Sequence, residues 1–226
     1  RINSALDRKY LLDREEEHLA KIESEKLKNE ELLLNILPQP IAMRMKADEY
    51  LIADSVDNCS ILFGDIVGFT PLSQALGAVK IVEMLNKIFT QFDDYCEAIG
   101  VEKIKTIGDN YMVACGVPTP DPDHAIKTVR MGFAMLRFVN SLPALQGHKI
   151  SMRIGIHSGS AVAGVIGKKK FVYDLWGDAV NTAGRMESYG LPDKIHVSSV
   201  TAELIKDHVK LESRGMREIK GKGSME

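Results

Sequence analysis

Two aspartates in this chain stand where carboxylates serve hard cations. The first follows the apolar run Ser60-Ile61-Leu62-Phe63 and opens the segment Gly64-Asp65-Ile66-Val67-Gly68-Phe69-Thr70. A buried strand that ends in a carboxylate and turns at once into a helix start places an oxygen ligand for Mg²⁺ beside unpaired backbone amides. The N–H groups of Ile66, Val67, Gly68, Phe69 and Thr70 would then point at one spot, where a helix N-terminus attracts a polyphosphate. Taken alone, Asp65 reads equally well as a cap paired with Thr70. The second aspartate, Asp109, lies in Lys103-Ile104-Lys105-Thr106-Ile107-Gly108-Asp109-Asn110-Tyr111. Asp is common at such a hairpin tip for turn reasons alone. A hairpin paired beside the first strand would bring Asp109 next to Asp65. Two carboxylates at adjacent strand ends suit a pair of metal ions about 3.5–4 Å apart.

Three further groups complete a candidate constellation. Strand alternation puts Lys105 and Ile107 on one face and Ile104 and Thr106 on the other. Lys105 is then a charge in an otherwise apolar hairpin and needs a partner. In Tyr173-Asp174-Leu175-Trp176-Gly177-Asp178-Ala179-Val180-Asn181-Thr182-Ala183-Gly184-Arg185-Met186, Asn181 and Arg185 fall four apart on an expected helix and share a face. A neutral amide beside a permanent planar cation suits a pentavalent phosphoryl transition state, although an isolated pair of this kind reads as exposed surface. Ile219-Lys220-Gly221-Lys222-Gly223 is a basic, glycine-rich loop suited to phosphate.

These residues need a scaffold to hold them. Residues 1–37 have no Gly or Pro, and Ala5, Leu12, Leu19 and Leu33 recur at seven-residue steps with Lys26 in the missing step. Ile22, Asn29 and Ile36 fall three positions later in the same heptads. That pattern is a long helix with a narrow, interrupted seam, either a parallel coiled coil or a charged helix docked on its own domain. Leu37-Pro38-Gln39-Pro40 ends it, and a short helix over 41–46 follows. The globular domain is expected from Asp57, so the chain divides into a signalling helix and linker (1–46) and a catalytic domain (57–226). Beyond Asp57 the pattern gives a helix over 71–98, a hairpin of strands over 101–106 and 111–115, and a helix over 121–140. Strands over 150–156 and 161–166, a helix over 179–189 and a strand over 195–197 come next. The order β-α-β-β-α-β with extra C-terminal elements predicts a ferredoxin-like α+β sandwich.

Composition excludes other classes. The 226 residues are 45% hydrophobic and 27% charged, as in a soluble globular protein, and a net charge of −2 argues against nucleic-acid partners. The apolar patch Leu32-Leu33-Leu34 is broken by Asn35 and Pro38, far short of the roughly 20 residues that span a bilayer. Cys59, Cys96 and Cys115 have no CxxC spacing, which predicts a reducing, cytoplasmic setting and no structural zinc. The sequon Asn58-Cys59-Ser60 is then a chance match. Of the six histidines, His157 is expected near the core and the others on the surface. The chain starts without Met and stops just after Lys-Gly-Lys-Gly, so it is expected to be part of a longer protein with a membrane or sensor segment upstream.

The three motifs together with the basic tail resemble the catalytic domain of class III adenylyl and guanylyl cyclases, over residues 57–223. The resemblance is closest to the class IIIa branch of mammalian membrane and bacterial membrane-anchored enzymes. It implies that Asp65 and Asp109, with the backbone of Ile66, bind two Mg²⁺ or Mn²⁺ ions. It implies that Lys105 and Asp174 recognise adenine, that Asn181 and Arg185 serve the transition state, and that Lys220 binds the terminal phosphates. Guanylyl cyclases carry Glu and Cys where this chain has Lys105 and Asp174, so ATP is the expected substrate and cyclic AMP the product. The resemblance also implies a homodimer in which one subunit supplies the metals and the other Asn181 and Arg185. A guanylyl cyclase and a catalytically silent nucleotide-binding dimerisation module are the alternatives.

Overall fold

The computed structural model describes residues 2–49, 51–167 and 170–225, with side chains from Arg8 onward. Its centre is strand β1, Ala53–Ile66. Residues 59–64 of β1 are all buried, because helices cover both faces of the sheet at this point. That is why the sequence reads there as a continuous apolar run rather than as an alternation. On one side β1 pairs antiparallel with β3, Asn110–Cys115, and on the other with β4, Met152–Ile166. Outside these lie β2, Glu102–Ile107, and β5, Val172–Trp176, giving the order β2-β3-β1-β4-β5. A short strand, β6 (Ile195–Val197), adds parallel to β4.

Helices α3 (Phe69–Leu76) and α4 (Ala78–Ile99) connect β1 to β2, and α5 (His124–Ser141) connects β3 to β4. Strands β1 to β4 with α4 and α5 therefore form the expected ferredoxin-like unit, with spatial order β2-β3-β1-β4. One sheet face packs on α4 and α5, with Leu62, Tyr111, Val113 and Ile154 meeting Ile88, Phe92, Val129 and Met135. The rings of Phe92 and Tyr111 meet edge to face at 5.3 Å. The other face carries Ile61, Phe63, Met112 and Ala114. Against it pack α2 (Gln39–Lys46), through Ile41 and Ala42, and α6 (Asp178–Ser188), through Ala179 and Ala183. The tail adds α7 (Ser199–Ile205) and the hairpin of β7 (Arg217–Ile219) and β8 (Gly223–Met225).

Several elements differ from the sequence expectation. The helix expected over 71–98 is two helices, broken at Gly77, whose φ of +79° is outside the helical range. The strands expected over 150–156 and 161–166 are one strand, β4, because every residue between them keeps extended geometry beside β1 and β5. Strand β5 was not expected, and β1, expected from the apolar run at Ser60, starts at Ala53, ahead of the expected domain start at Asp57. His124 is buried, not on the surface, since Ser60 reaches its Nδ1 at 2.7 Å. A bulge at Ile104 shifts the β2–β3 register, so that Lys103 faces Val113 and Lys105 faces Met112. Ile104 therefore packs in the α2/α6-side core rather than on the face opposite Lys105.

The N-terminal helix, α1 (Ile2–Leu34), is continuous. Leu12, Leu19 and Ile22 stay exposed along it, whereas Leu33 packs on the core beneath α2. Lys46 of α2 bonds Glu30 of α1 at 2.7 Å. The side chain of Ala5, first in the expected seam, lies outside those described. Cys59, Cys96 and Cys115 are buried free thiols. Among the described residues no helix is long and apolar enough to cross a membrane.

Candidate functional site

Strand β1 delivers Asp65 to its C-terminal end, and β3 pairs beside it with Tyr111 opposite Gly64. The two-residue turn Gly108-Asp109 between β2 and β3 therefore lies against that end. The Asp109 carboxyl feels both the Asp65 carboxylate and the Ile66 amide at this end of the sheet. Burial, and after it the charge of Asp65, push the Asp109 carboxyl up to about 6. Two carboxylates that repel each other at the rim of a sheet form a hard-oxygen site, and a divalent cation would relieve their repulsion. Among the described residues no group of three or more His, Cys, Asp or Glu could hold a metal unaided. Two carboxylates are the protein share typical of Mg²⁺ sites completed by water and substrate phosphates, so the residues fit that ion.

The expected row of amides is only partly available. The Val67 N–H donates to Ser151 O at 3.0 Å. The N–H groups of Gly68, Phe69 and Thr70 remain open at the start of α3, which has no side-chain cap. Val67 is thus taken out of the expected row of amides, and Asp65 is not the helix cap, a position held by Gly68.

Lys105 finds the partner its placement demands. Its Nζ lies 2.5 Å from Asp174 Oδ2, and Asp174 Oδ1 accepts from the Leu175 N–H at 2.8 Å. Strands β2 and β5 are opposite ends of the sheet order, so the sheet curls until its edges meet through these two side chains. The bulge at Ile104 makes this possible. Without it, Lys105 would share the face of Lys103, which bonds Asp93 of α4 at 2.7 Å.

Helix α6 presents Asn181 and Arg185 away from its packed side, which carries Ala179, Thr182, Ala183 and Met186. Asn181 is exposed and Arg185 half-buried. Neither side chain bonds another described residue, and neither joins Asp65, Asp109, Lys105 or Asp174. Lys220 is exposed in the β7–β8 turn, where its N–H donates to Tyr189 Oη at 3.3 Å. The other lysine of that turn, Lys222, bonds Asp178 at the first residue of α6.

Two site residues escaped the sequence reading. Arg153 sits directly opposite Asp65 in the β1–β4 ladder and donates from Nη2 to Asp65 Oδ2 at 3.0 Å. Its Nε donates to Glu187 Oε1 at 3.1 Å. Glu187 is buried at the end of α6, and burial followed by the charge of Asp65 raises its carboxyl above the ordinary range, with Arg153 opposing. The available signals were an arginine inside the apolar strand Met152-Arg153-Ile154-Gly155-Ile156 and a glycine that marks a close approach. A Cβ at Gly155 would lie 1.8 Å from Glu187 N, so only glycine lets α6 settle here.

Comparison with known proteins agrees with this geometry. A family model described as the adenylate and guanylate cyclase catalytic domain matches residues 51–226. The chain is 42% identical over 207 residues to an adenylate cyclase of Mycobacterium tuberculosis, a match covering 91% of this chain and 47% of that protein. It is 45% identical over 215 residues to the receptor-type guanylate cyclase gcy-28 of Caenorhabditis elegans, covering 93% of this chain and 16% of that protein. The chain thus spans less than half the length of either relative. Among solved structures, the guanylate cyclase domain of RhGC from Catenaria anguillulae in complex with GTP is similar at a TM-score of 0.73 and 34% identity. That match covers 76% of this chain and 94% of the other. With its ferredoxin-like sheet and the aspartates at the end of β1 and at the β2–β3 turn, this chain belongs to the class III adenylate and guanylate cyclase catalytic domains.

Proposed function

We propose that the chain is an adenylate cyclase, converting ATP to 3′,5′-cyclic AMP and pyrophosphate at sites shared by two copies in a homodimer. The observation that carries the choice of ATP is the Lys105–Asp174 pair, which sets a donor and an acceptor side by side. Adenine offers an N6 amino donor to Asp174 and an N1 acceptor to Lys105. Guanine reverses both edges, and a site left with unpaired polar groups rejects such a substrate strongly.

In this reading the ribose 3′-oxygen attacks the α-phosphorus in line, the bond to the β-bridging oxygen breaks, and pyrophosphate leaves. Asp65 and Asp109, with the backbone of Ile66, hold two divalent ions, Mg²⁺ or Mn²⁺. When bound, those ions lower the pKa of the 3′-hydroxyl and neutralise the triphosphate. Arg185 takes up charge on the α-phosphate, Asn181 orients the ribose, and Lys220 retains the leaving pyrophosphate. The open amides of Gly68, Phe69 and Thr70 receive phosphate oxygens. Sharing between subunits is supported by the lack of any bond between Asn181 or Arg185 and the aspartates of the same chain, and a two-fold axis then creates two equivalent sites. The exposed Leu12, Leu19 and Ile22 of α1 support a parallel coiled coil that carries a signal from an upstream membrane or sensor segment to a cytoplasmic catalytic domain.

One assay tests the reading. The purified chain is given ATP or GTP with Mg²⁺ or Mn²⁺ and the products are identified. Cyclic AMP from ATP at the higher kcat/KM is the expected result. Preferred formation of cyclic GMP would overturn it in favour of a guanylate cyclase, the activity that the name of the 45% identical relative carries. No product from either nucleotide would leave a silent binding module.

A further inference from the structure

Arg153 is divided between two carboxylates in unequal settings. The backbone fixes all three groups. Arg153 and Asp65 are register partners in adjacent strands, and Glu187 is pressed onto β4 by the contact of α6 with Gly155. The Asp65 side chain is 21% exposed and that of Glu187 only 7%. Among the described residues, the Glu187 carboxylate has, apart from Arg153, only the neighbouring Ser188 hydroxyl, at 3.2 Å, as a side-chain partner. A buried carboxylate placed this way holds its cation firmly, because nothing else replaces the lost water. The two edges of the guanidinium serve the two acids separately, so Arg153 can loosen from one without leaving the other.

We propose that Arg153 is an internal counter-cation that competes with a divalent metal for Asp65, and that Glu187 sets the strength of this competition. The inference rests on Asp65 and Asp109 being the metal ligands. In the metal-free chain the guanidinium neutralises part of the charge on Asp65. A divalent ion at the same carboxylate repels it, and Glu187 retains it at the opposite edge. Glu187 is thus a positioning residue that acts on Asp65 through Arg153, which it bonds at 3.1 Å, over and above the direct repulsion between the two acids. It lies on α6, two residues after Arg185, so occupation of the aspartates is felt by the helix that carries the proposed transition-state residues.

Substitutions at the two positions should act with opposite sign. Mn²⁺ binding to the nucleotide-free chain is measured by the loss of the free-ion electron paramagnetic resonance signal, with Asp65→Asn as the reference for the site. Arg153→Met removes the competitor and should tighten binding, by about three- to fivefold for a partly exposed charge pair. Glu187→Gln leaves Arg153 with Asp65 alone and should weaken binding by a similar factor. In the Arg153→Met background, Glu187→Gln should have a clearly smaller effect, since only the direct interaction with Asp65 is left, and this double variant also spares the fold an unpaired buried charge. Thermal melting of each variant accompanies the titrations. If the two single variants shift affinity in the same direction, or if Glu187→Gln weakens binding as much with Arg153 replaced as with it present, the relay is wrong. If wild type and Asp65→Asn bind Mn²⁺ alike, the metal-site reading itself fails and the relay falls with it.

Discussion

Lys105 and Asp174 stand on strands at opposite edges of the sheet order, yet their side chains meet at 2.5 Å. Closing the sheet through an ion pair places the pair's chemistry at a junction, where a base can be read by one donor and one acceptor. Replacing Lys105 by Glu together with Asp174 by Cys supplies the residues that guanylyl cyclases carry at these positions. That double variant should reverse the preference from ATP to GTP. Lys105→Met alone should lower kcat/KM for ATP about 10- to 100-fold, because Asp174 is left partly buried without its cation. Steady-state kinetics with both nucleotides decide the matter, and an unchanged ATP/GTP ratio in the double variant would remove these residues from base recognition.

The proposed metal-binding role of the two aspartates sets stability against function. Asp109 is held up to about 6 by burial and by Asp65, so at pH 8 its ionised form repels its neighbour. Asp109→Asn should therefore raise the melting temperature at pH 8 in metal-free buffer, corresponding to about 1 kcal/mol after discounting for exposure. The same change should reduce cyclase activity by about 10³-fold or more, since it removes a charged oxygen ligand. A variant that is both less stable and less active would show that the loss is one of folding.

The sequence was most informative where a pattern is local. The apolar run before Asp65, the turn at Asp109 and the helical spacing of Asn181 and Arg185 are short-range signals, and each appears in the structure near its expected place. Lys105 was legible as a charge in need of a partner, because a lysine in an apolar hairpin is an anomaly wherever the strand lies. What could not be read were relations between distant segments. The bulge at Ile104 depends on how β2 meets β3, and nothing in Lys103-Ile104-Lys105 announces it. Arg153 looks like the solvent-facing residue of an alternating strand, and only the arrival of α6 on that face turns it into a partly covered link between two acids. Strand β5 is defined by its pairing with β4, a long-range relation that its own residues do not announce.

Sharing of the site predicts complementation. Asp65→Ala and Arg185→Ala chains should each be inactive alone. In a 1:1 mixture, random pairing makes half of the dimers hybrids. Each hybrid has one site with both residues intact and one with both missing, so the mixture should recover about a quarter of wild-type activity. Size-exclusion chromatography and subunit exchange confirm that the variants fold and pair. A mixture that stays inactive while the chains exchange would place the whole site within one subunit.

Glu102 gives a pH test that is independent of the metal site. It lies on β2, lining a cleft with Pro38, Gln39, Pro40 and Val117, where the start of α2 meets the sheet. Burial pushes its carboxyl up to about 7 from an ordinary 4.5. The folded chain thus binds this proton more tightly than the unfolded chain does. The resulting stabilisation is complete below about pH 4.5 and is lost as pH rises through about 7. Glu102→Gln keeps the polar contacts of the protonated acid but cannot ionise. Relative to wild type it should gain stability steadily between these limits, reaching about 1–2 kcal/mol at pH 8 once solvent screening is allowed for. Melting curves from pH 5 to pH 8 measure the gap. A difference that is the same at every pH would mean that Glu102 ionises in the folded chain as it does in the unfolded one, and that its carboxylate is solvated rather than buried.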